Sequence, residues 1–243
     1  MDTNEKTSTQ PTIGIGVTTT PNRKGVFKNW LKNFRKHTKE PYHLHIHEDI
    51  NYRGVAYSKN ENLKALKDCD YIFLFDDDCY PINNDWYKFF IGLNENHLLY
   101  MIPRLHGMAT MDFKTIMNLV NDSTMNSYKN CLNGKTILMQ HFNNCGGVFM
   151  MLTKEVVAKV GAFGDYGQYG FEHAGYSQRI HKAGFTKAPY MCANDTYKYI
   201  KALDYESNIV SSVSEGAKEI EINKNRLKFI EEVNNKNYFV NFT

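Results

Sequence analysis

Tyr71-Ile-Phe-Leu-Phe-Asp-Asp-Asp-Cys79 decides how this chain is read: five apolar residues in a row, then three carboxylates with nothing between them. A continuous apolar run of that length is the pattern of a parallel strand buried on both faces. Asp76, Asp77 and Asp78 stand where such a strand reaches solvent, and three adjacent like charges repel unless a cation meets them. In strand geometry Asp76 and Asp78 point to one side and Asp77 to the other, a two-residue clamp for a hard cation such as Mg²⁺ or Mn²⁺. The plainer reading is a solvated loop or helix cap ahead of Pro81.

Working toward the N-terminus, Ala56 to Leu66 fits a helix, and Tyr42 to His47 alternates with Leu44 and Ile46 on one face and His43, His45 and His47 on the other. Residues two apart on a strand are about 7 Å apart, too far for three imidazoles to share one ion comfortably, so the stripe reads as an outer polar face. Val26 to His37 carries Phe27, Trp30, Leu31 and Phe34 at helical spacing, and Ile13 to Thr20 reads as a buried first strand stopped by Pro21. The order is βαβαβ, which predicts a mostly parallel, Rossmann-like sheet flanked by helices, with ligands beyond the carboxyl ends of the strands.

Toward the C-terminus the patterns predict a helix at Trp86 to Leu93, a strand at Leu98 to Pro103 and a helix at Asp112 to Val120. Asn121 to Gly134 reads as a polar loop, and Val148 to Leu152 as a strand. Thr153 caps a helix through Val160 that Gly161 closes, and another helix runs from Glu172 to Gly184. The stretch from Ser214 to Asn234, with Ile220, Leu227 and Ile230, reads as a more polar helix packing on the main body. The expected organisation is a flexible tail at 1–11, one main domain at 12–205 with halves at 12–103 and 104–205, and a helical extension at 206–243.

With 243 residues, 42% hydrophobic and 23% charged, the chain lies in the globular range. No run approaches the roughly 18 apolar residues of a membrane span, and Met1 to Pro11 lacks a secretory pattern, so a soluble cytoplasmic protein is expected. Five cysteines without C-x-x-C spacing suggest reduced thiols rather than a disulfide framework or zinc knuckle. A formal charge of +3 does not announce nucleic-acid binding, although a nucleic-acid acceptor is not excluded by it.

Taken in order, several pieces resemble the family 2 glycosyltransferases and their relatives with the GT-A fold. They are Ile13 to Pro21, Glu48-Asp49, Lys59-Asn60, Tyr71 to Cys79, Asn144-Cys-Gly-Gly-Val-Phe149, and Tyr169-Gly-Phe-Glu-His173 followed by Arg179. The resemblance covers roughly residues 12 to 195. It implies a metal-dependent, inverting transfer of a sugar from a nucleotide diphosphate, with a UDP-sugar as donor, to the hydroxyl of a glycan or other acceptor. By the same resemblance, Thr18, Thr20, Arg23 and Asp49 would line the base and ribose, Lys59 and Asn60 would lie near the nucleotide, and Asp76 and Asp78 would hold the metal beside Asp77. Gly146 and Gly147 would lie against the donor sugar and acceptor, where the lack of side chains allows close approach.

Glu172-His173 stands where inverting relatives place an acidic pair whose second member deprotonates the acceptor. Histidine here departs from that pattern, and either Glu172 or His173 can be the base, since an imidazole with an ordinary pKa near 6.5 also accepts a proton. Relatives commonly bring a late histidine or acid to the metal. The corresponding stretch, Ala188 to Asp195, offers Asp195 as a third ligand or as an Asx turn. Asp49 likewise reads either as a ligand to base or ribose or as a turn former. Two other functions are compatible with such a sheet: a nucleotidyltransferase, against which the lack of a Gly-rich, Lys-containing phosphate loop counts, and a catalytically silent nucleotide-sugar-binding protein. Acceptor identity and oligomeric state stay open.

Overall fold

The computed structural model describes residues 10–39, 41–101, 127–142, 147–203, 213 and 215–242. Its centre is a five-stranded sheet built from β1 (Ile13–Thr19), β2 (His43–Glu48), β3 (Tyr71–Asp76), β5 (His97–Met101) and β8 (Gly147–Thr153) in the order β2-β1-β3-β8-β5. β1 pairs in parallel with β2 and β3, while β8 runs antiparallel between β3 and β5, so four of the five strands point one way. The expected α/β architecture, a mostly parallel sheet with flanking helices, is therefore present.

The apolar run of β3 is central for the reason its composition suggests. Ile72, Phe73, Leu74 and Phe75 are all fully buried between β1 and β8. Helix α1 (Lys24–His37) buries Trp30 and Phe34, and Trp30 meets Phe75 edge-on at 5.8 Å. On α3 (Trp86–Gly92), Trp86 packs edge-on against Phe73 and Phe75 and gives its indole N–H to Thr38 Oγ1 at 2.9 Å, so this buried aromatic has no unsatisfied donor. Helix α2 (Val55–Leu66) covers β1 and β2, presenting Ala56, Leu63 and Leu66 to the core.

Beyond the main sheet, β4 (Cys79–Pro81) pairs with β10 (Ile200–Ala202). A second, antiparallel sheet joins β6 (Ser127–Leu132), β7 (Lys135–His141) and β9 (Met191–Ala193). The polar stretch expected to be a loop through Gly134 is thus a hairpin over 127–141, turned at Asn133 and Gly134, both with positive φ. Polar residues occupy its exposed face, as alternate residues of a surface hairpin may be polar at no cost. The helix expected at 112–120 lies outside the described residues, as do 102–103 and 121–126.

Helix α4 (Lys154–Val160) ends at Gly161 with φ +76°, as the Thr153 and Gly161 signals suggest. Helix α5 (Glu172–Lys182) and helix α6 (Glu215–Asn234) pack together. The docking of α6 uses a different face from the one its apolar residues suggest: Ile220, Leu227 and Ile230 are exposed, while Asn225 and Phe229 face the body. The histidine stripe on β2 is also turned differently from the expected outer face. His45 Nδ1 lies 2.8 Å from Asn62 Oδ1 and His47 packs edge-on against Tyr57, both on α2, because an edge strand under a helix can hide polar side chains that the helix itself satisfies. No helix among the described residues is long and apolar enough to cross a membrane.

Two positions yield measurable consequences. Gly54 has φ +109°, and a Cβ there would fall 2.0 Å from the Gly167 carbonyl oxygen, so the loop after β2 can meet the loop before α5 only through glycine. Gly54→Ala should lower the unfolding free energy by more than about 1 kcal/mol in urea titration. His97 is fully buried between Met151 O at 3.0 Å and Ser177 Oγ at 2.9 Å. Burial, against the pull of the Met151 carbonyl, lowers its pKa to about 4 from 6.5. Below its ordinary pKa the unfolded chain takes up a proton that the folded chain refuses, so stability falls as pH drops and the loss levels off below pH 4. His97→Gln should remove roughly 2 kcal/mol of the stability lost between about pH 7 and about pH 5.

Candidate functional site

The carboxyl ends of β1, β2 and β3 lie side by side, with Thr18 opposite Asp76 and Thr19 opposite Glu48 in register. β3 ends at Asp76, and the chain turns at Asp77 and Asp78. The strand alternation that would put Asp76 and Asp78 on one side therefore stops one residue too early. Asp77 and Asp78 both go to Arg23, which follows β1 in the 3-10 turn Pro21–Arg23. Arg23 Nε donates to Asp77 Oδ1 at 2.8 Å, and Arg23 Nη2 lies 2.6 Å from both Asp77 Oδ1 and Asp78 Oδ2. Thr19 Oγ1 donates to the other Asp77 oxygen at 2.6 Å.

This cluster is buried, and its electrostatics follow from that. Burial lifts the Asp77 carboxyl above the ordinary carboxylate range, with Arg23 and Thr19 pulling the other way. Burial also works against the Arg23 charge, but the hydrogen bonds and charges of Asp77 and Asp78 overcome it and hold the guanidinium more firmly protonated than usual. Planar bidentate contact is what arginine provides and lysine does not.

Asp76 is held separately. Lys59, fully buried on α2, places Nζ 2.6 Å from Asp76 Oδ1, and the Asp76 side chain keeps 26% exposure against 3% for Asp77 and 9% for Asp78. Of the three aspartates, Asp76 is thus the one open to solvent. Glu172 lies within electrostatic reach of Lys59 and carries His173 Nδ1 at 3.2 Å from its Oε1. Burial alone would raise the Glu172 carboxyl, but the hydrogen bond and charge of His173, with Lys59 beyond, hold it below the ordinary range. The buried Lys59 thus pairs with Asp76 and is near enough for its charge to act on Glu172, almost 100 residues beyond Asp76 in the chain.

The Glu-His pair is presented by a strained backbone. Phe171 precedes α5 with φ +72°, a left-handed conformation uncommon for a bulky residue, and Gly170 before it has φ +94°. Helix α6 holds that turn: Phe229 stacks on Phe171 at 5.0 Å, and Asn225 donates to Tyr169 O at 2.9 Å and also to Tyr166 O. Phe163 stacks on Tyr176 at 4.0 Å and meets His173 edge-on. Glu172 Oε2 and His173 Nε2 are buried and find no hydrogen-bond partner among the described residues. Buried polar atoms normally have partners, and these two on adjacent residues are among several in the chain that find none among the described residues.

Several expected site residues have other duties. Asp49 Oδ2 accepts from Gly54 N at 2.7 Å and closes the loop after β2, which is the turn-forming reading. Asn60 clamps the Phe163 backbone, accepting from its N–H at 2.7 Å and donating to its carbonyl at 3.1 Å. Thr20 donates to Asn22 Oδ1 at 2.6 Å on the surface, and Thr18 makes only a 3.5 Å contact to Phe75 O. Asp195 pairs with Lys198 at 2.9 Å within its own 3-10 turn. Among the described residues no three acidic, histidine or cysteine side chains gather to hold a metal, so Asp76, Asp78 and Asp195 do not form the expected three-ligand set. The reasons are local: the turn after β3 swings Asp78 to Arg23, and Lys198 retains Asp195. Gly147 opens β8, and the Phe75–Phe149 register carries it to the sheet edge that bears the aspartates. Gly146 lies outside the described residues.

Sequence reading did not single out Phe163, Ser177, Asn225 or Glu232, and it placed Thr19 only within the run Thr18 to Arg23, without its bond to Asp77. Glu232, which meets the buried Arg179 at 2.5 Å, had no local signal because its partner lies on another helix.

No protein-family model matches the chain, and no curated protein matches it in sequence. Among solved structures it is similar to the mannosyltransferase PcManGT from Pyrobaculum calidifontis, in complex with GDP-Man and Mn²⁺. That likeness has 13% identity and a TM-score of 0.48, over 73% of this chain and 54% of that one. The chain thus spans about half the length of the mannosyltransferase. It is also similar to A197 from STIV, with 18% identity and a TM-score of 0.37 over 63% of this chain and 73% of that one. A further likeness is to a glucose-1-phosphate thymidylyltransferase from Bacillus anthracis, with 9% identity and a TM-score of 0.35 over 93% of this chain and 78% of that one.

Proposed function

We propose that this chain is a glycosyltransferase of GT-A type that transfers a sugar from a nucleotide diphosphate, a UDP-sugar, to an acceptor hydroxyl with inversion. The observation that carries the reading is the buried Lys59, which pairs with Asp76 and acts electrostatically on Glu172, together with the buried Glu172 Oε2 and His173 Nε2, which lack partners among the described residues.

His173 Nδ1 faces Glu172 Oε1, which favours the tautomer with the proton on Nδ1 and the lone pair on Nε2. His173 Nε2 then accepts the proton of the acceptor hydroxyl as it attacks, and ionised Glu172 orients the ring and stabilises the imidazolium. Between the two candidates for the base, this geometry favours His173. Lys59 and the positive end of α5 balance negative charge on the diphosphate side.

A divalent cation fits the residues in one way. Asp76 has one oxygen on Lys59 and a part-exposed carboxylate, which suits Mg²⁺ or Mn²⁺ held by one or two carboxylates, waters and phosphate oxygens. When bound there, it would supply Lewis-acid stabilisation of charge on the leaving diphosphate. Asp77 and Asp78 are taken up by their buried pairing with Arg23, which leaves Asp76 as the carboxylate that would hold it.

Three substitutions separate these roles. Asp76→Asn should weaken Mn²⁺-dependent UDP binding at least about tenfold in calorimetry and, because it leaves Lys59 buried without its counter-ion, should also lower the thermal midpoint; unaltered binding would remove Asp76 from the site. Arg23→Ala should act chiefly on the fold, costing about 3–5 kcal/mol in urea unfolding, because it leaves Asp77 and Asp78 buried without their guanidinium. With an acceptor in hand, His173→Ala should lower kcat by about 10² to 10⁴ with little change in donor KM. Release of pyrophosphate from a nucleoside triphosphate would instead identify a nucleotidyltransferase.

A further inference from the structure

Helix α6 has two usable faces, and only one of them is occupied by the body. Ile222, Asn225, Phe229 and Glu232, spaced 3, 4 and 3 residues apart, meet Gly170, Tyr169, Phe171 and Arg179 in turn. These contacts fix the rotation of the helix about its axis. The opposite face carries Gly216, Ile220, Asn223, Leu227, Ile230 and Asn234, and all six are exposed. Ile220 and Leu227 are each 68% exposed and Ile230 is 46% exposed, which makes this helix the site of three of the larger apolar side chains left in solvent.

The spacing of those six residues is 4, 3, 4, 3 and 4, an unbroken heptad alternation over the helix. Ile220, Leu227 and Asn234 then take the a positions, and Gly216, Asn223 and Ile230 the d positions. Single exposed apolar residues need no explanation, but a heptad seam on a helix whose other face is already satisfied does. The flanks show what it fits. Glu219 and Arg226 fall at g, and Lys224 and Glu231 at e, all four exposed. In a parallel pair of identical helices, each g residue meets the e residue of the partner's following heptad. Glu219 then faces the partner's Lys224, and Arg226 faces the partner's Glu231. Both pairs are of opposite charge, and two-fold symmetry repeats them on the other side.

We propose that α6 is a dimerisation helix and that its occupant is the α6 of a second copy of this chain, in parallel register. Parallel pairing sets Ile220, Leu227 and Ile230 against their own counterparts and Asn223 against Asn223, the arrangement in which a seam asparagine fixes register. Antiparallel pairing about the middle of the same seam would instead oppose Asn223 to Leu227 and bury an amide against an apolar group. A helix of 20 residues is about 30 Å long, so this contact falls at the small end of stable interfaces and the dimer should dissociate on dilution.

Sedimentation of the full chain over a wide concentration range tests this. The expected result is a concentration-dependent dimer of the 28.2 kDa chain, converted to monomer by Ile220→Glu with Leu227→Glu. Both residues are exposed, so circular dichroism and the thermal midpoint should stay the same. Glu219→Lys should raise the dimer dissociation constant by at least about tenfold, and adding Lys224→Glu should restore it. A wild-type chain that stays monomeric throughout, or a dimer that survives the double glutamate variant, overturns the proposal. A charge swap that weakens the dimer further overturns the parallel arrangement, since antiparallel helices would pair Lys224 with Glu231.

Discussion

Three carboxylates at the end of a strand buried on both faces set the terms for the rest of the structure. Asp76, Asp77 and Asp78 cannot remain ionised together at the rim of a core unless cations are supplied within hydrogen-bond distance. The fold brings one from each neighbouring element: Arg23 from the turn after β1 and Lys59 from α2. Both cations are themselves buried, so each is as dependent on the aspartates as the aspartates are on it. The effect is a division of labour, with Asp77 and Asp78 buried against Arg23 and Asp76 left part-exposed beside Lys59.

Lys59 links Asp76 to the second half of the site. Its charge reaches Glu172, whose carboxylate stays ionised despite burial, and Glu172 in turn holds His173. The left-handed turn at Phe171 that starts α5 is unfavourable alone and persists because α6 clamps it through Phe229 and Asn225. Arg179 extends the same support, donating to the carbonyls of Val160, Ala162 and Tyr238 while paired with Glu232. An element near the end of the chain thereby determines how the Glu-His pair is presented.

Much of this was legible in the residues. The run from Tyr71 to Phe75, the βαβαβ order, and the Thr153 and Gly161 helix boundaries are local patterns, and each appears within a residue or two of its expected place. The partners of the aspartates were not legible, because strand alternation was extended past Asp76 into what is a turn. Asp49 carries out the turn-forming one of the two roles left open for it, and Asn60 bonds the Phe163 backbone from α2, contacts that sequence alone does not reveal. The hairpin at 127–141 was missed since its exposed alternate residues are polar. The facing of α6 was missed for a related reason: its most apolar side chains suggested the buried face, whereas burial there runs through Asn225, Phe229 and Glu232.

The central claim is the proposal that Asp76, Lys59 and His173 act on one bound nucleotide sugar. Histidine-selective ¹⁵N NMR tests it most directly, by following the His173 ring nitrogens while a UDP-sugar and Mg²⁺ are added. The account predicts that the His173 Nε2 signal shifts as donor is added, a response that Asp76→Asn suppresses. A His173 signal indifferent to saturating nucleotide sugar would contradict it.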